Sequence, residues 1–243
     1  MKEINIDEKL AGQKMMRCLE RYLSNAPKSF LYKMLRKKNI TLNNSKATGD
    51  EKLKCGDTIK IFFSDETFEK FAADNNRTAN DDYYSRIYRP LDIIYENSDV
   101  IFINKPSGML SQKAKPEDVS LVEYLIAHLI HNGELNAGDL ASFKPGICNR
   151  LDRNTSGIVA AGKTTKGLQQ LSEAFKQRIL GKYYLCIVKG NVDKRALIKG
   201  YLYKDNKTNK VTISRTETKD SLPIETEYIP VCSNGNVTLL KIH

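Results

Sequence analysis

The stretch Asn149-Arg150-Leu151-Asp152-Arg153-Asn154-Thr155-Ser156-Gly157 places one carboxylate between two guanidinium groups, just before a polar turn that ends in glycine. An apolar run, residues 158–161, follows at once, so we expect the turn to lie between extended segments. A carboxylate at such a turn can be presented rigidly to a substrate, and the two cations beside it favour its charged form. This suits a nucleophile or an electrostatic stabiliser better than a general acid. The same residues are also typical of a solvated loop with an ordinary Arg–Asp pair.

The composition indicates a globular protein with no membrane span. The chain has 243 residues, of which 40% are hydrophobic, which is enough for one large domain or two smaller ones with their own cores. No apolar run reaches the roughly 18 residues of a membrane helix. The first residues, Met1-Lys2-Glu3-Ile4-Asn5, lack the apolar centre of a signal peptide. We therefore expect a cytoplasmic protein.

The cysteines and histidines do not form a ligand set. No two cysteines have CxxC spacing, and the histidines do not complete a metal site with them. We therefore expect neither a disulfide framework nor a bound metal. The residues concerned are Cys18, Cys55, Cys148, Cys186, Cys232, His128, His131 and His243.

The charge is unevenly distributed along the chain. Residues 1–63 hold 14 Lys and Arg against 7 Asp and Glu, which is +7 of the total of +10. This suits a polyanion such as RNA or DNA, although a solvated basic surface has the same composition. We interpret residues 64–90 as an acidic linker and residues 91–243 as a second domain. The acidic residues of the linker are Asp65, Glu66, Glu69, Asp74, Asp81 and Asp82.

Two short helices and two strands are predicted in the basic region. Residues 40–42 are strand-like before the Asn43-Asn44 turn, and Gly56-Asp57 forms a turn before a second strand. The first helix has its apolar residues at helical spacing, and these are Met15, Cys18, Leu19, Tyr22 and Leu23. The second, over about residues 28–38, faces inward with Leu31, Met34 and Leu35. Its outer face carries Lys33, Arg36 and Lys37, whose mutual repulsion a polyanion would relieve.

The segment from Gly12 to Phe63 resembles the RNA-binding domain named after ribosomal protein S4. The matching positions are Lys14, Lys28, Ser29, Tyr32, Arg36, Asn43, Gly56 and Asp57. The resemblance implies that the second helix and the loop after it follow an RNA backbone. Lysines stand at the first two positions, where that family usually has arginines, and lysine lacks the bidentate fork. The expected RNA-binding residues are Lys14, Lys28, Ser29, Tyr32, Lys33, Arg36, Lys37 and Asn43.

Strands and helices alternate from residue 91 onward. Residues 93–108 predict a strand, a turn, a second strand and a tight turn at Lys105-Pro106-Ser107-Gly108. Ser120 and Glu123 form a capping box that starts a helix, and a further helix is predicted over about residues 165–178. Residues 182–190 alternate as a strand with Tyr184, Cys186 and Val188 on one face.

Three blocks therefore stand in order, ending at Gly108, Gly157 and Gly190. Their sequences are Ile103-Asn104-Lys105-Pro106-Ser107-Gly108, Arg150-Leu151-Asp152 through Thr155-Ser156-Gly157, and Lys182-x-Tyr184 leading to Gly190. In order and spacing they resemble the RluA-type pseudouridine synthases, in an RluC/RluD-like layout. The resemblance implies an α+β fold, with a small S4-like domain ahead of a catalytic domain built on a mixed or antiparallel sheet. That layout is the one of enzymes that modify large-subunit ribosomal RNA.

The resemblance also implies a chemistry and a set of site residues. The N-glycosidic bond of uridine breaks, the base turns, and it rejoins through carbon, without a metal or an organic cofactor. Asp152 is implied as the reactive carboxylate and Tyr184 as the residue that stacks on the uracil and is a candidate proton relay. Arg150 and Leu151 are expected to hold the loop, Thr155 and Gly157 to shape the turn, and Lys105 to join them in binding substrate. We expect the protein to be a monomer. The implied partner is large-subunit ribosomal RNA, free or in pre-ribosomal particles.

Two departures from the family pattern bear on these expectations. Asn149 stands where the family usually has histidine, so no titrating group is available there. The chain ends in the strand-like residues 237–243, without the Thr-Gly-Arg/Lys-Thr-His block that supplies an arginine to the catalytic carboxylate in the family. We therefore expect a C-terminally incomplete chain that has an unpaired sheet edge, little or no activity and a tendency to aggregate.

Two other functions remain compatible with the sequence. The first is a non-catalytic RNA-binding or ribosome-assembly protein that uses the basic region alone. The second is a pseudouridine synthase for transfer RNA. The modified uridines are not encoded in a recognisable motif, because sequence-specific RNA recognition depends on unstacked loops and local shape.

Overall fold

The computed structural model describes residues 1–72, 77–141, 143–205, 208 and 210–243, with residues 77–81 as backbone only. The chain divides into two compact units, Met1–Gln177 and Arg178–His243. Both contain antiparallel sheets, and the helices among the described residues lie in the first unit. No helix within the described residues is both long and apolar enough to cross a membrane.

The N-terminal part of the first unit packs two helices on a four-stranded antiparallel sheet of order β1-β4-β2-β3. Lys38, just beyond the second helix, has a φ of 60°, so the helix predicted over about residues 28–38 ends near Arg36. The elements are β1 (Lys2–Asn5), α1 (Met15–Tyr22), α2 (Lys28–Arg36), β2 (Ile40–Leu42), β3 (Ser45–Lys46) and β4 (Thr58–Ile61).

The core of this part forms where the helical spacing predicted it. Both helices bury the apolar faces that the sequence indicated, which confirms the prediction, and Tyr22 lies half-buried at the margin. Burial raises the pKa of the Cys18 thiol to about 11, so this cysteine remains a protonated packing residue near neutral pH. The buried helix residues are Met15, Met16, Cys18, Leu19, Leu31, Met34 and Leu35.

The region between the two expected domains is largely helical where it is described. It contains α3 (Asp65–Phe71) and α4 (Arg77–Ile87). The Ser64 hydroxyl accepts a hydrogen bond from the Thr67 N–H at 3.3 Å, and acidic residues occupy the first turn of α3, where the helix dipole favours them. Asp74 and the side chain of Asp81, part of the predicted acidic linker, lie outside the described residues.

A second four-stranded antiparallel sheet, of order β5-β6-β8-β7, carries the rest of the first unit. Helix α5 begins at the predicted capping box, in which the Ser120 N–H donates to Glu123 Oε2 at 3.1 Å. The elements are β5 (Ile93–Glu96), β6 (Val100–Lys105), α5 (Leu121–His131), a 3₁₀ turn (Ala137–Ala141), β7 (Gly146–Ile147), β8 (Gly157–Gly162) and α6 (Thr165–Lys176).

Residues from both halves of the first unit pack together. Phe143 is buried in the N-terminal core, and Leu168 of α6 packs against it. The Lys9 carbonyl accepts hydrogen bonds from the N–H and the hydroxyl of Thr165, at 3.1 and 2.8 Å. The boundary between compact units therefore lies after Gln177 rather than between the basic and acidic regions.

The second unit is a five-stranded antiparallel sheet of order β11-β10-β12-β13-β9. The strands are β9 (Tyr184–Lys189), β10 (Ala196–Lys204), β11 (Val211–Ser214), β12 (Leu222–Ser233) and β13 (Val237–Ile242). The last strand pairs with β12 on one side and β9 on the other, so it is an interior strand. The edges of this sheet are β9 and β11, so the unpaired edge does not lie at the C-terminal strand.

The alternation predicted for β9 is present. Alternate residues of β9 pair with alternate residues of β13, so all six lie on one face of the sheet. The pairs are Tyr184 with Ile242, Cys186 with Leu240, and Val188 with Thr238. Leu240 and Thr238 are buried on that face, whereas Leu185 and Ile187, on the opposite face, are 70% and 71% exposed.

Candidate active site

Asp152 lies on the loop that leads from β7 into β8. The Thr155 N–H donates to the Asp152 carbonyl at 3.1 Å, which closes a turn at the carboxylate. Gly157 begins β8 with a φ of +134°, a conformation that a residue with a side chain rarely adopts. The turn predicted at residues 149–157 is therefore present, with the Asp152 side chain exposed at its tip.

A second loop, residues 105–111, lies against the Asp152 loop. Strands β6 and β8 pair with Lys105 opposite Gly157, so both loops leave the sheet at the same end. The Gly108 N–H donates to the Arg153 carbonyl at 2.8 Å, and Arg153 Nε donates to the Gly108 carbonyl at 3.1 Å. The Ser107 hydroxyl donates to the Asn154 carbonyl at 2.9 Å. The two residues that follow Asp152, Arg153 and Asn154, are thus hydrogen-bonded to the first block.

Lys105 is the cation at the centre of this arrangement. Its side chain has no exposed surface, and its ammonium donates to the carbonyls of Pro106, Met109 and Arg153 at 3.1, 2.9 and 3.2 Å. Burial lowers the pKa of the Lys105 ammonium, and attraction to the Asp152 carboxylate partly offsets that lowering. The Lys105 side chain is fully buried, and its three bonds fix the backbone of both loops, so its geometry supports a positioning role.

Ser111 holds the residue that precedes Asp152. Its hydroxyl donates to the Leu151 carbonyl at 2.6 Å and accepts from the Leu151 N–H at 3.1 Å. Both polar backbone groups of Leu151 are therefore satisfied by one side chain, and the Leu151 side chain packs against the core of the second sheet. Sequence reasoning missed Ser111, since a serine three residues after a Pro-Ser-Gly turn carries no distinguishing signal.

Ser111→Ala should loosen the Asp152 loop without unfolding the chain. It leaves two part-buried backbone groups of Leu151 without their partner, at a cost of about 1–2 kcal/mol in the free energy of unfolding. We expect a roughly tenfold fall in kcat on an RNA substrate, since misplacing a reacting group is costly. Thermal melting and single-turnover rates measure the two effects. Ser107→Ala, which removes an exposed bond to the same loop, is the matched control, and an equal loss in both variants would contradict a special role for Ser111.

Asn149 fastens the start of the loop to β8. Its side-chain amide donates to the Ile158 carbonyl at 3.1 Å, and its oxygen accepts from the Ala160 N–H at 2.8 Å. The residue that departs from the family pattern is therefore a structural crosslink. Arg150 is exposed, and within the residues that the structure describes its guanidinium makes no ion pair. Leu151 is held by Ser111 and the core, so the structure does not bring Arg150 into the expected loop-holding role.

The family model described as RNA pseudouridylate synthase matches residues 99–243, which include both loops and the whole second unit. The chain belongs to the RNA pseudouridylate synthase family. Relatives of this chain include an uncharacterized RNA pseudouridine synthase of Mycoplasma pneumoniae, 31% identical over 87% of this chain and 62% of that protein. The ribosomal large subunit pseudouridine synthase D of Borreliella burgdorferi is 30% identical over 92% of this chain and 67% of its own length. Ribosomal large subunit pseudouridine synthase C of Vibrio cholerae is 27% identical over 98% of this chain and 70% of its own.

The chain spans less than two thirds of the Mycoplasma relative, so the match covers only part of that protein. Tyr184, the other expected catalytic residue, is the first residue of β9 in the second unit and is 42% exposed. Within that unit it pairs with Ile242 of β13.

The expected RNA-binding residues lie mostly on one helix. Six of them are exposed on α2 or directly after it, and these are Lys28, Ser29, Tyr32, Lys33, Arg36 and Lys37. Two of the expected cations have anionic partners, because Lys14 pairs with Asp50 and Lys28 with Glu20, both at 2.9 Å. Asn43, at a φ of 50°, donates to Asp57 Oδ1 at 2.8 Å and accepts from the Thr58 N–H at 2.9 Å. Its side chain therefore holds the turn together.

Proposed function

We propose that this chain is an RNA pseudouridine synthase that isomerises uridines of large-subunit ribosomal RNA, with Asp152 as the reactive carboxylate. The observation that carries the proposal is an exposed carboxylate on a turn whose backbone is fixed from two sides, with a buried ammonium behind it. The names of the Borreliella and Vibrio relatives support the choice of RNA.

The geometry suits the breaking of a glycosidic bond. Cleavage of the bond between ribose and uracil develops positive charge on the sugar, which a carboxylate stabilises or captures. Asp152 is exposed to a substrate, while the buried ammonium of Lys105 lies within the protein and attracts the carboxylate. The uridine reaches such a carboxylate by leaving its stack. Tyr184 is proposed to stack on the freed base, while Arg150, Leu151, Thr155 and Gly157 are proposed to line the substrate site.

The N-terminal region is proposed to be an S4-like RNA-binding domain. In this proposal residues 1–63 bind RNA, residues 64–90 connect, and residues 91–243 belong to the catalytic region. Support comes from the exposed face of α2, where Lys33, Arg36 and Lys37 carry like charges without an ion pair in the described part of the chain. The proposed setting is a cytoplasmic monomer acting on ribosomal RNA, free or in pre-ribosomal particles.

Removing this basic face should weaken RNA binding in a salt-dependent way. In the triple variant Lys33→Ala, Arg36→Ala, Lys37→Ala we expect the slope of log K against log salt to fall by about 2–3, since each lost phosphate contact removes about 0.7–0.9. Titration of a ribosomal RNA transcript at several KCl concentrations measures it. The matched control removes three charges from the second unit, in Lys194→Ala, Lys204→Ala, Lys219→Ala. An equal slope change in the control would argue against a dedicated RNA-binding face on α2.

The function itself is tested by product formation. The full product of the gene is incubated with a large-subunit ribosomal RNA transcript, and pseudouridine is mapped by chemical adduct formation and primer extension. A transfer RNA pool serves as a second substrate, and conversion there alone would favour a transfer RNA synthase. RNA binding without conversion of either substrate would favour a non-catalytic RNA-binding or ribosome-assembly protein.

A further inference from the structure

A cavity of about 450 Å³ lies beside the Asp152 loop, within the first unit. Its walls come from the loop that follows β6, the segment that leads into α5 and the Asp152 loop. This volume falls in the range of small-ligand pockets, roughly 300–1,000 Å³. The charged and aromatic residues that line it are Arg89, Asp118, Tyr124 and Arg153.

Arg89 is held in a fixed orientation without an anionic partner. Its guanidinium carbon lies 4.1 Å from the centroid of the Tyr124 ring, and one of its terminal nitrogens lies 3.7 Å from the sulfur of Met109. A cation over an aromatic face is attracted to the ring without using its N–H donors, and a thioether is only a weak acceptor. Among the residues that the structure describes, no carboxylate pairs with Arg89. An oriented cation of this kind is suited to a ligand from outside the protein.

Arg153 contributes a second cation from the loop that carries Asp152. Its Nε is bound by the Gly108 carbonyl, and its own carbonyl is held by Lys105 and the Gly108 N–H. The bonds that position Asp152 thus also position this guanidinium. The only carboxylate that lines the cavity in the described part of the chain is Asp118. Asp118 accepts hydrogen bonds from two backbone N–H groups, of Ala114 at 3.0 Å and of Lys115 at 2.8 Å. Both bonds fall on Oδ2, and the Asp118 carboxylate also attracts Arg153. Two guanidinium groups against one carboxylate leave the cavity net positive.

We propose that this cavity binds a phosphodiester of the RNA strand that presents the uridine to Asp152, with Arg89 and Arg153 as the phosphate ligands. The inference rests on the proposed function. A planar guanidinium matches two phosphate oxygens at once, which makes arginine better suited to this contact than lysine. Because Arg153 directly follows Asp152, the bound phosphate belongs to a nucleotide next to the reacting one. Such a contact positions the strand and carries no sequence information of its own.

Arg89→Ala tests the proposal, with a large-subunit ribosomal RNA transcript as the probe. We expect the Kd to rise about tenfold, as the loss of a charged contact implies, and the salt slope to fall by about 0.7–0.9. Arg86→Ala removes an exposed arginine of α4 that does not line the cavity, and it should leave both quantities unchanged.

An unchanged Kd and salt slope in Arg89→Ala would overturn the proposal. If Arg89→Ala does not fold, Arg89→Gln keeps the length and planar end of the side chain and carries the same expectation. The two proposals fail separately, because binding is measured apart from conversion. Weakened binding in Arg89→Ala, with no pseudouridine formed by the unaltered chain, would refute the function and keep the phosphate site.

Discussion

Asp152→Asn is expected to abolish pseudouridine formation and to leave RNA affinity within a few-fold of that of the unaltered chain. The amide has almost the same shape as the carboxylate, and the side chain is exposed, so the loop should keep its structure. An amide neither captures a sugar cation nor stabilises its charge. We expect the rate to fall by roughly 10³-fold or more, the scale seen when a reacting group is removed. Primer-extension mapping after adduct formation measures the product, and filter binding measures the affinity.

The matched control for this variant is Asp92→Asn. Asp92 is an exposed carboxylate of the same unit whose side chain accepts from Asn104 Nδ2 at 2.8 Å, so its printed bond is to β6 and not to the Asp152 turn. It should keep close to full activity. Pseudouridine at an unreduced rate from Asp152→Asn would remove Asp152 from the mechanism, whatever the family resemblance implies.

Lys105→Met is expected to lower both stability and rate. Methionine fills much of the same volume but leaves three backbone carbonyls without their donor and removes the buried charge behind Asp152. We expect the free energy of unfolding to fall by about 3 kcal/mol. The kcat should fall by about 10²-fold even where the chain is folded, since the turn loses its fixed position. Denaturant melting and rates measured well below the melting temperature separate the two effects.

Lys163→Met supplies the comparison for this buried lysine. Lys163 is also nearly buried, and it pairs with Glu96 at 2.7 Å and with Glu134, away from the Asp152 turn. Its loss should destabilise the chain while the folded fraction keeps its kcat. If Lys105→Met behaved in the same way, Lys105 would be a stabilising residue only, without a part in positioning Asp152.

Local patterns in the sequence predicted the elements that depend on nearby residues. The spacing of Leu31, Met34 and Leu35 identified the buried face of α2, and the glycine-terminated turn placed Asp152 between strands. The capping box at Ser120 marked the start of α5. In each case the residues that carry the signal lie within about one or two helical turns of the element that they predict. Periodicity and capping act over that range.

What the sequence did not predict depends on contacts between distant residues. The two arginines beside Asp152 in the sequence were expected to be the cations that attract its carboxylate. In the structure the buried cation that attracts it is Lys105, at the end of the neighbouring strand β6. Ser111 lies 40 residues from Leu151, whose backbone it holds. The interior place of β13 follows from a pairing order that alternation alone does not encode. The helix α3 did have a local signal, a Ser64 cap before Asp65 and Glu66, in a region interpreted only by its charge.

The carbonyl bonds of Lys105 have a consequence for the order in which the site is completed as the chain is made. The carbonyls of Pro106 and Met109 are one and four residues away, so those two bonds are available as soon as this segment leaves the ribosome. The third, from Arg153, comes from 48 residues later. Chains generally fold from the N-terminus during synthesis. The Lys105 ammonium therefore lacks its third acceptor, the Arg153 carbonyl, until β8 pairs with β6. The Asp152 turn takes its position only in that late step.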